Sequence, residues 1–246
     1  MDLYGLIGQS LSHSFSSSFF NQKFSDENIE ASYSNFELKS LADIHEVFQL
    51  TGLNGLNITI PYKEKVIPFL DEIDSLAAKI NSVNTIKVIR EPERVKFKGY
   101  NTDVYGFYQL IRAYLKPHHE KALILGTGGA SKAVANVLMD YGIKVNYMSR
   151  KPSNSTIFNW DEMNDYFIKN HLLIVNTTPV GMFPNEDDCI PIMYDAIQSN
   201  HLVIDLIYNP KETQFLKKCK SRGCTALNGQ AMLIHQALKS WEIWNQ

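Results

Sequence analysis

The sequence predicts an α/β protein of two domains, and three observations predict it. Short strand-like apolar runs alternate with stretches of helical spacing along most of the chain. A glycine-rich turn, Gly126-Thr127-Gly128-Gly129-Ala130, stands between the apolar run Leu123-Ile124-Leu125 and a helical stretch. The character of the strands also changes after Asp103. Before it they alternate polar and apolar residues; after it they are continuous apolar runs, as in parallel strands covered on both faces.

Taken in order, Leu3 to Gly8 reads as a short strand ending on glycine. A serine cluster follows, then a helix through Phe19, Phe20 and Phe24, with serines suited to its N-cap. Ser32 to Leu38 alternates as a strand, and Leu41, Ile44, Val47 and Phe48 have helical spacing. Gly52 and Gly55 bracket a turn before the strand Leu56 to Ile60, where Asn57 and Thr59 share one face. Pro61 ends that strand and can open a helix. Val83 to Ile89 and Val95 to Tyr100 form a hairpin turned by Glu91-Pro92-Glu93.

After Asp103 a helix through Phe107, Leu110, Ile111, Tyr114 and Leu115 breaks at Lys116-Pro117. Strand 121–125, the glycine turn, helix 131–141 and strand 144–148 make one βαβ unit, with Ser131 a candidate N-cap. Leu172 to Val175 and Leu202 to Leu206 are further buried strands, and Gln230 to Trp244 is a helix.

The chain has 246 residues, 44% hydrophobic and 20% charged, with net charge −2. That balance argues against a nucleic-acid partner. No segment has the length and apolarity of a membrane span, and the N-terminus lacks signal-peptide character, so a cytoplasmic location is expected. Cys189, Cys219 and Cys224 show no metal-ligand spacing and read as reduced thiols. His118 and His119 read as solvated loop residues.

The glycine turn between strand and helix suits a dinucleotide: it lets the backbone approach a pyrophosphate, and the helix N-terminus offers unpaired N–H groups. The next strand ends in Met148-Ser149-Arg150-Lys151, without the acid that binds a ribose 2′-hydroxyl. Arg150 can fork onto a 2′-phosphate, assisted by Ser149 and Lys151, so the cofactor predicted is NADP. In the first half, Ser14, Ser16, Asn57, Thr59, Lys63, Asn84 and Asp103 lie at or near strand ends. Hydroxyl, amide, ammonium and carboxylate groups together suit a small ligand with several hydroxyls and a carboxylate.

These motifs together resemble the shikimate dehydrogenase family, nearly end to end. Tyr4-Gly5-Leu6-Ile7-Gly8 with Leu11-Ser12-His13-Ser14-Phe15-Ser16 is similar to its N-terminal substrate motif, and Asn57 to Glu64 to its catalytic-lysine motif. Val83-Asn84-Thr85 and Gly99 to Gly106 are similar to the next two signatures. The glycine turn and Ser149-Arg150-Lys151 match its NADP site, and Asn176 to Met182 its segment beside the nicotinamide. Asp205 to Pro210 and Asn228 to Ala237 complete the set. Ser17 stands where the family usually has proline, and Ser82 where glycine is common.

The resemblance implies an N-terminal α/β substrate domain, 1–103 with 228–246, and a Rossmann-type NADP-binding domain, 104–227. It implies that Ser14 and Ser16 bind the substrate carboxylate with Tyr208 nearby, and that Thr59, Asn84, Asp103 and Gln236 contact its hydroxyls. Lys63 and Asp103 are the implied catalytic pair. Gly126, Gly128, Gly129, Ala130, Ser149, Arg150, Lys151, Thr177 and Gly229 are the implied cofactor positions. The implied reaction is reversible reduction of 3-dehydroshikimate by NADPH, without a metal. Lys63 as proton donor and Lys63 as electrostatic anchor are both compatible with it. The expected partner is the small-molecule substrate, in a monomer or homodimer whose lobes close about hinges near Asp103 and Asn228. Three other readings compete: an NAD-using quinate/shikimate dehydrogenase, a methylene-tetrahydrofolate dehydrogenase-like enzyme, and a silent metabolite sensor. Arg150 opposes the first, as does Ser16, where quinate-using relatives often carry threonine. The Ser-x-Ser site opposes the second, and retention of Lys63 with Asp103 the third.

Overall fold

The structure, a computed structural model, describes residues 1–11, 14–152 and 154–246. Ser12 and His13 of the N-terminal motif lie outside the described residues. The chain forms two compact units, Met1–Thr102 with Ala237–Gln246, and Asp103–Gln236. The sequence predicts divisions at 103/104 and 227/228; the first division between the compact units lies one residue earlier. The second division instead falls inside one continuous helix, Gln230–Trp244. Among the described residues no helix is long and apolar enough to cross a membrane.

The first unit contains β1 (Asp2–Gly8), α1 (Phe15–Asp26), β2 (Ala31–Glu37), α2 (Ile44–Phe48), β3 (Leu53–Ile58), β4 (Glu72–Ile73), α3 (Ser75–Ile80), β5 (Thr85–Arg90) and β6 (Val95–Tyr100). They form one six-stranded sheet in the order β2-β1-β3-β5-β6-β4. β1 runs parallel to β2 and β3, and the β5–β6 hairpin is antiparallel. Alternation along β1 divides its side chains between two cores. Leu3 and Ile7 join Leu56, Ile58 and Ile86, whereas Tyr4 and Leu6 join Phe20, Phe24, Tyr33 and Trp244. Gly55 admits the Trp244 ring: a Cβ there would lie 2.3 Å from Trp244 Nε1, which donates to Ile86 O at 2.9 Å.

Four expectations change in this unit. Gly55 lies inside β3, which begins at Leu53, so Gly52 and Gly55 do not bracket a turn. The helical stretch from Leu41 begins as a 3₁₀ turn, Leu41–Asp43, before the short α2. β3 ends at Ile58, so Thr59 lies beyond the strand, although its N–H still reaches Ile7 O at 2.9 Å. Pro61 opens no helix; turns closed by Tyr62 N to Thr59 O and Val66 N to Tyr62 O lead to a 3₁₀ turn at Ile67–Phe69.

The second unit contains α4 (Asp103–Ile111), β7 (Lys121–Leu125), α5 (Gly129–Asp140), β8 (Lys144–Ser149), β9 (Ile157–Asn159), α6 (Asp165–Asn170), β10 (Leu173–Asn176), β11 (Leu202–Asp205), α7 (Gln214–Lys220), β12 (Thr225–Asn228) and the first half of α8 (Gln230–Trp244). Its sheet is parallel throughout, in the order β12-β11-β10-β7-β8-β9. That is the doubly wound order, with its switch point between β7 and β10. Gly106 brings α4 close to α8, since a Cβ there would lie 2.6 Å from Met232 O.

Three expectations are corrected here. α4 ends at Ile111, so Tyr114 and Leu115 lie beyond it. The cap of α5 is Gly128, not Ser131, whose hydroxyl donates back to Gly128 O at 2.6 Å. His119 is buried, not solvated: its Nδ1 accepts from Lys116 N at 3.1 Å, and burial pushes its pKa down. His118 is exposed.

Candidate active site

In the first unit, the topology gathers the candidate residues at one end of the sheet. β1 and β3 are parallel neighbours, so their carboxyl ends, Gly8 and Ile58, lie side by side. β5 starts and β6 stops at the same end, because Thr85 pairs with both Asn57 and Tyr100. Ser14 and Ser16 follow β1, Thr59 and Lys63 follow β3, Asn84 precedes β5, and Thr102 follows β6. Gly8 sits between two of these segments, since a Cβ there would meet Leu11 Cδ2 at 2.6 Å and Thr59 Cγ2 at 2.7 Å.

Ser14 is the N-cap of α1, accepting from Ser17 N at 3.2 Å. An oxygen that accepts this bond keeps its own O–H as a donor. Ser16 is buried and hydrogen-bonds Tyr33, whose phenol is pushed well above its ordinary range by burial. Lys63 is half-buried, and its carbonyl accepts from Val83 N at 2.8 Å. Asp103 is buried at the start of α4.

Beneath this sheet end lies a buried polar hub. Asn57 Nδ2 donates to Asn84 O, Thr85 Oγ1 and Ser240 Oγ at 3.2, 3.2 and 3.0 Å, and its Oδ1 accepts from Tyr33 Oη at 2.8 Å. Ser240 also bonds Thr85 and Thr102, at 2.8 and 3.2 Å. Asn84 grips Thr102 twice: Thr102 N donates to Oδ1 at 2.7 Å, and Nδ2 donates to Thr102 Oγ1 at 3.0 Å. The residue immediately before Asp103 is thereby fixed through the backbone and the side chain.

In the second unit the glycine turn closes β7 at the switch point. Gly126 has φ +101°, and a Cβ there would meet Thr178 Cγ2 at 2.9 Å and Thr177 Oγ1 at 3.0 Å. Around Gly128 there is open space, and no side chain caps α5. These features leave a cradle of backbone N–H groups on a twelve-residue helix, as a pyrophosphate requires. Across the switch point, Thr177 N and Oγ1 donate to Leu125 O at 2.9 and 2.8 Å. At the end of β8, buried Ser149 accepts from Lys151 N at 3.2 Å, and Arg150 and Lys151 are exposed. The residues of this unit therefore fit a phosphorylated dinucleotide.

The remaining candidates sit on two further loops and on α8. Gly229 follows β12, where a Cβ would come 2.0 Å from Leu206 O, so no side chain fits. Tyr208 is half-buried after β11, and Gln236 is buried, donating to Leu233 O at 2.9 Å. Between these loops stands Asp205, fully buried. Its Oδ1 accepts from Asn176 Nδ2 at 2.8 Å and Ile207 N at 3.1 Å, and its Oδ2 from Thr213 Oγ1 at 2.6 Å. Burial pushes its pKa up to about 6 against those three hydrogen bonds.

The structure thus brings Ser14, Ser16, Thr59, Lys63 and Asn84 to one sheet end of the first unit. It brings the glycine turn, Thr177 and Ser149–Lys151 to the carboxyl ends of β7, β10 and β8 in the second. Sequence reasoning missed Tyr33, Thr85, Thr102, Ser240 and Thr213 as organisers of these loops. Thr85 and Thr102 lie within the Val83-Asn84-Thr85 and Gly99–Gly106 motifs, but Ser240 is 183 residues from its partner Asn57 and carries no local signal.

Comparison with known proteins identifies the family. Residues 6–86 match the family described as "Shikimate dehydrogenase substrate binding domain". The chain is 39% identical over its whole length to "Shikimate dehydrogenase (NADP(+))" of Clostridium beijerinckii, covering 93% of that protein. It superimposes on the crystal structure of shikimate dehydrogenase 1 from Peptoclostridium difficile with a TM-score of 0.86 at 39% identity, covering 100% and 92% of the two chains. With quinate dehydrogenase from Corynebacterium glutamicum in complex with NAD the TM-score is also 0.86, at 27% identity over 99% and 93%. With both sheets, the switch-point cradle and this full-length identity in agreement, the chain belongs to the shikimate dehydrogenase family.

Proposed function

We propose that this chain is an NADP-dependent shikimate dehydrogenase, reversibly reducing 3-dehydroshikimate to shikimate, with Lys63 and Asp103 as its catalytic pair. One observation carries the reading: two adjacent residues, Val83 and Asn84, hold the segments that lead to Lys63 and to Asp103. Val83, beside Asn84, bonds the carbonyl of Lys63, and the Asn84 side chain holds Thr102, the residue before Asp103.

In this reading Lys63 meets the ketone oxygen. Its ammonium stabilises the negative charge that develops there and supplies the proton. Asp103 orients the lysine and accepts a substrate hydroxyl. Ser14 and Ser16 bind the substrate carboxylate with Tyr208, the Ser16 O–H turning to it from Tyr33, and Thr59, Asn84 and Gln236 select its ring hydroxyls. NADPH supplies the hydride when bound. Gly126, Gly128, Gly129 and Ala130 receive its pyrophosphate, Ser149, Arg150 and Lys151 its 2′-phosphate, and Thr177 and Gly229 line its nicotinamide side. The first unit serves as the substrate domain and the second as the cofactor domain, in a cytoplasmic enzyme. Free thiols at Cys189, Cys219 and Cys224 accord with that setting.

Fold alone does not separate shikimate from quinate, because both kinds of relative superimpose equally well. The exposed Arg150-Lys151 pair and the serine at 16 favour shikimate with NADP. The test is a rate matrix of shikimate, quinate and methylene-tetrahydrofolate against NADP and NAD, followed by nicotinamide absorbance. Turnover of shikimate with NADP should dominate. Preferred turnover of quinate with NAD would replace this reading, and no turnover in any cell would favour a metabolite sensor.

A further inference from the structure

The geometry points to Asp205 as a positioning residue for this reaction, holding the 176–180 segment and the 206–208 turn in the shape that cofactor and substrate need. The inference rests on the dehydrogenase reading and assigns a role to a side chain outside the binding and catalytic sets.

A buried carboxylate is an expensive way to fill space, since an apolar side chain of similar volume is often as good or better for stability. What Asp205 holds explains its presence. Toward the switch point it fixes Asn176, whose Oδ1 accepts from both Thr178 N at 2.9 Å and Thr178 Oγ1 at 2.7 Å. Thr178 Oγ1 in turn accepts from Val180 N at 3.3 Å. Asp205 is thus the root of a chain of hydrogen bonds that shapes the loop carrying Thr177, against which Gly126 packs. In its own loop, Asp205 fixes Ile207 N, one residue before Tyr208. The carbonyl of Ile207 then receives Gly229 N at 3.0 Å. One carboxylate therefore sets three of the loops that the proposed site uses.

Its second oxygen has a different destination. Thr213 is the N-cap of α7, accepting from Leu216 N at 3.3 Å; its hydroxyl serves that helix, while its Cβ and Cγ2 lie beside Gly181, a contact that the isosteric valine keeps. The two sides of the hub can therefore be cut separately.

The experiment compares Asp205→Ala, Asp205→Asn, Asn176→Ala and Thr213→Val for melting temperature, kcat, and KM for NADP and shikimate, well below each melting temperature. Asp205→Ala and Asn176→Ala should each raise KM for NADP about tenfold or more, the scale of one buried hydrogen bond lost on binding. Asp205→Asn should recover most of that loss, because its amide oxygen still accepts from Asn176 and Ile207. Thr213→Val should melt lower while keeping its kinetics. The inference is overturned if Asp205→Ala or Asn176→Ala lowers only the melting temperature, or if Asn at 205 is no better than Ala. Should Asp205→Ala not fold, Asn176→Ala decides alone. A wild-type enzyme inactive with shikimate and NADP would instead sink the functional reading, so the two failures are distinct.

Discussion

The two units anchor their loops with buried polar hubs of opposite chemistry. In the first, Asn57, Thr85, Thr102 and Ser240 form a neutral mesh in which each member has several partners. In the second, one carboxylate serves three donors that depend on it. A mesh of hydroxyls and amides can re-form around a lost member, since hydroxyls rotate to donate or accept. A single carboxylate has no such redundancy, and truncating it leaves three buried donors unsatisfied. The first unit spreads its risk, whereas the second concentrates it in one charge that burial itself disfavours.

The comparison can be sharpened first where the effect is largest. Lys63→Ala, in the unit of the neutral mesh, should lower kcat by about 10²–10⁴-fold, the range of a general acid, with a modest change in KM. A large KM rise at constant kcat would make Lys63 a binding residue instead. The charged hub should leave a signature in pH. Burial raises the folded pKa of Asp205 from the ordinary 3.8 to about 6. Protonation thus favours the fold: this contribution is fully present below 3.8 and is lost as pH rises through about 6. Two pKa units correspond to roughly 3 kcal/mol at most. Tyr194 and Cys219 face Asp205 and stay neutral: burial chiefly raises the Tyr194 phenol, and a hydrogen bond with Cys224 followed by burial raises the Cys219 thiol. Urea midpoints of the wild type minus those of Asp205→Asn should therefore fall between pH 4 and 7, and a flat difference would refute the assignment.

Smaller effects test the edges of each unit. Arg150→Ala should weaken NADPH by about 10- to 100-fold, as loss of a charge-assisted contact of roughly 1.5–3 kcal/mol implies, and spare NADH. Equal losses for both cofactors would remove Arg150 from the 2′-phosphate. Ser240→Ala should cost only about 1 kcal/mol in chemical denaturation, because Asn57 keeps its bonds to Asn84 and Thr85. A loss beyond about 3 kcal/mol would show that the mesh is not redundant. Ser82 offers the opposite sign: it is fully buried, and its hydroxyl has no hydrogen-bond partner among the described residues. Ser82→Ala should raise stability by about 1 kcal/mol, measured the same way.

Elements with strong local patterns were legible. The apolar runs of β7, β10 and β11 lie within a residue or two of where the sequence puts them, and α8 spans the expected Gln230–Trp244. The βαβ context of the glycine turn was equally plain. What escaped was short or weakly patterned: β4 has two residues, β9 three and α6 six, too few to show a period. His119 was misjudged because its polar neighbours in the chain say nothing about the fold that buries it. The serine at 14 was read as both cap and candidate ligand, and the structure shows the cap.

By itself, the sequence determined the order of the strongly patterned strands and helices, the glycine turn and the cationic end of β8, because each depends on residues close together in the chain. Only the tertiary structure decided which polar side chains share a hub, and on which side of residue 236 each half of α8 belongs. Ser240 meets Asn57, and Asp205 meets Asn176, across long stretches of chain. Such encounters follow from strand order and burial, where a polar group shut away from water must find a partner wherever the fold supplies one.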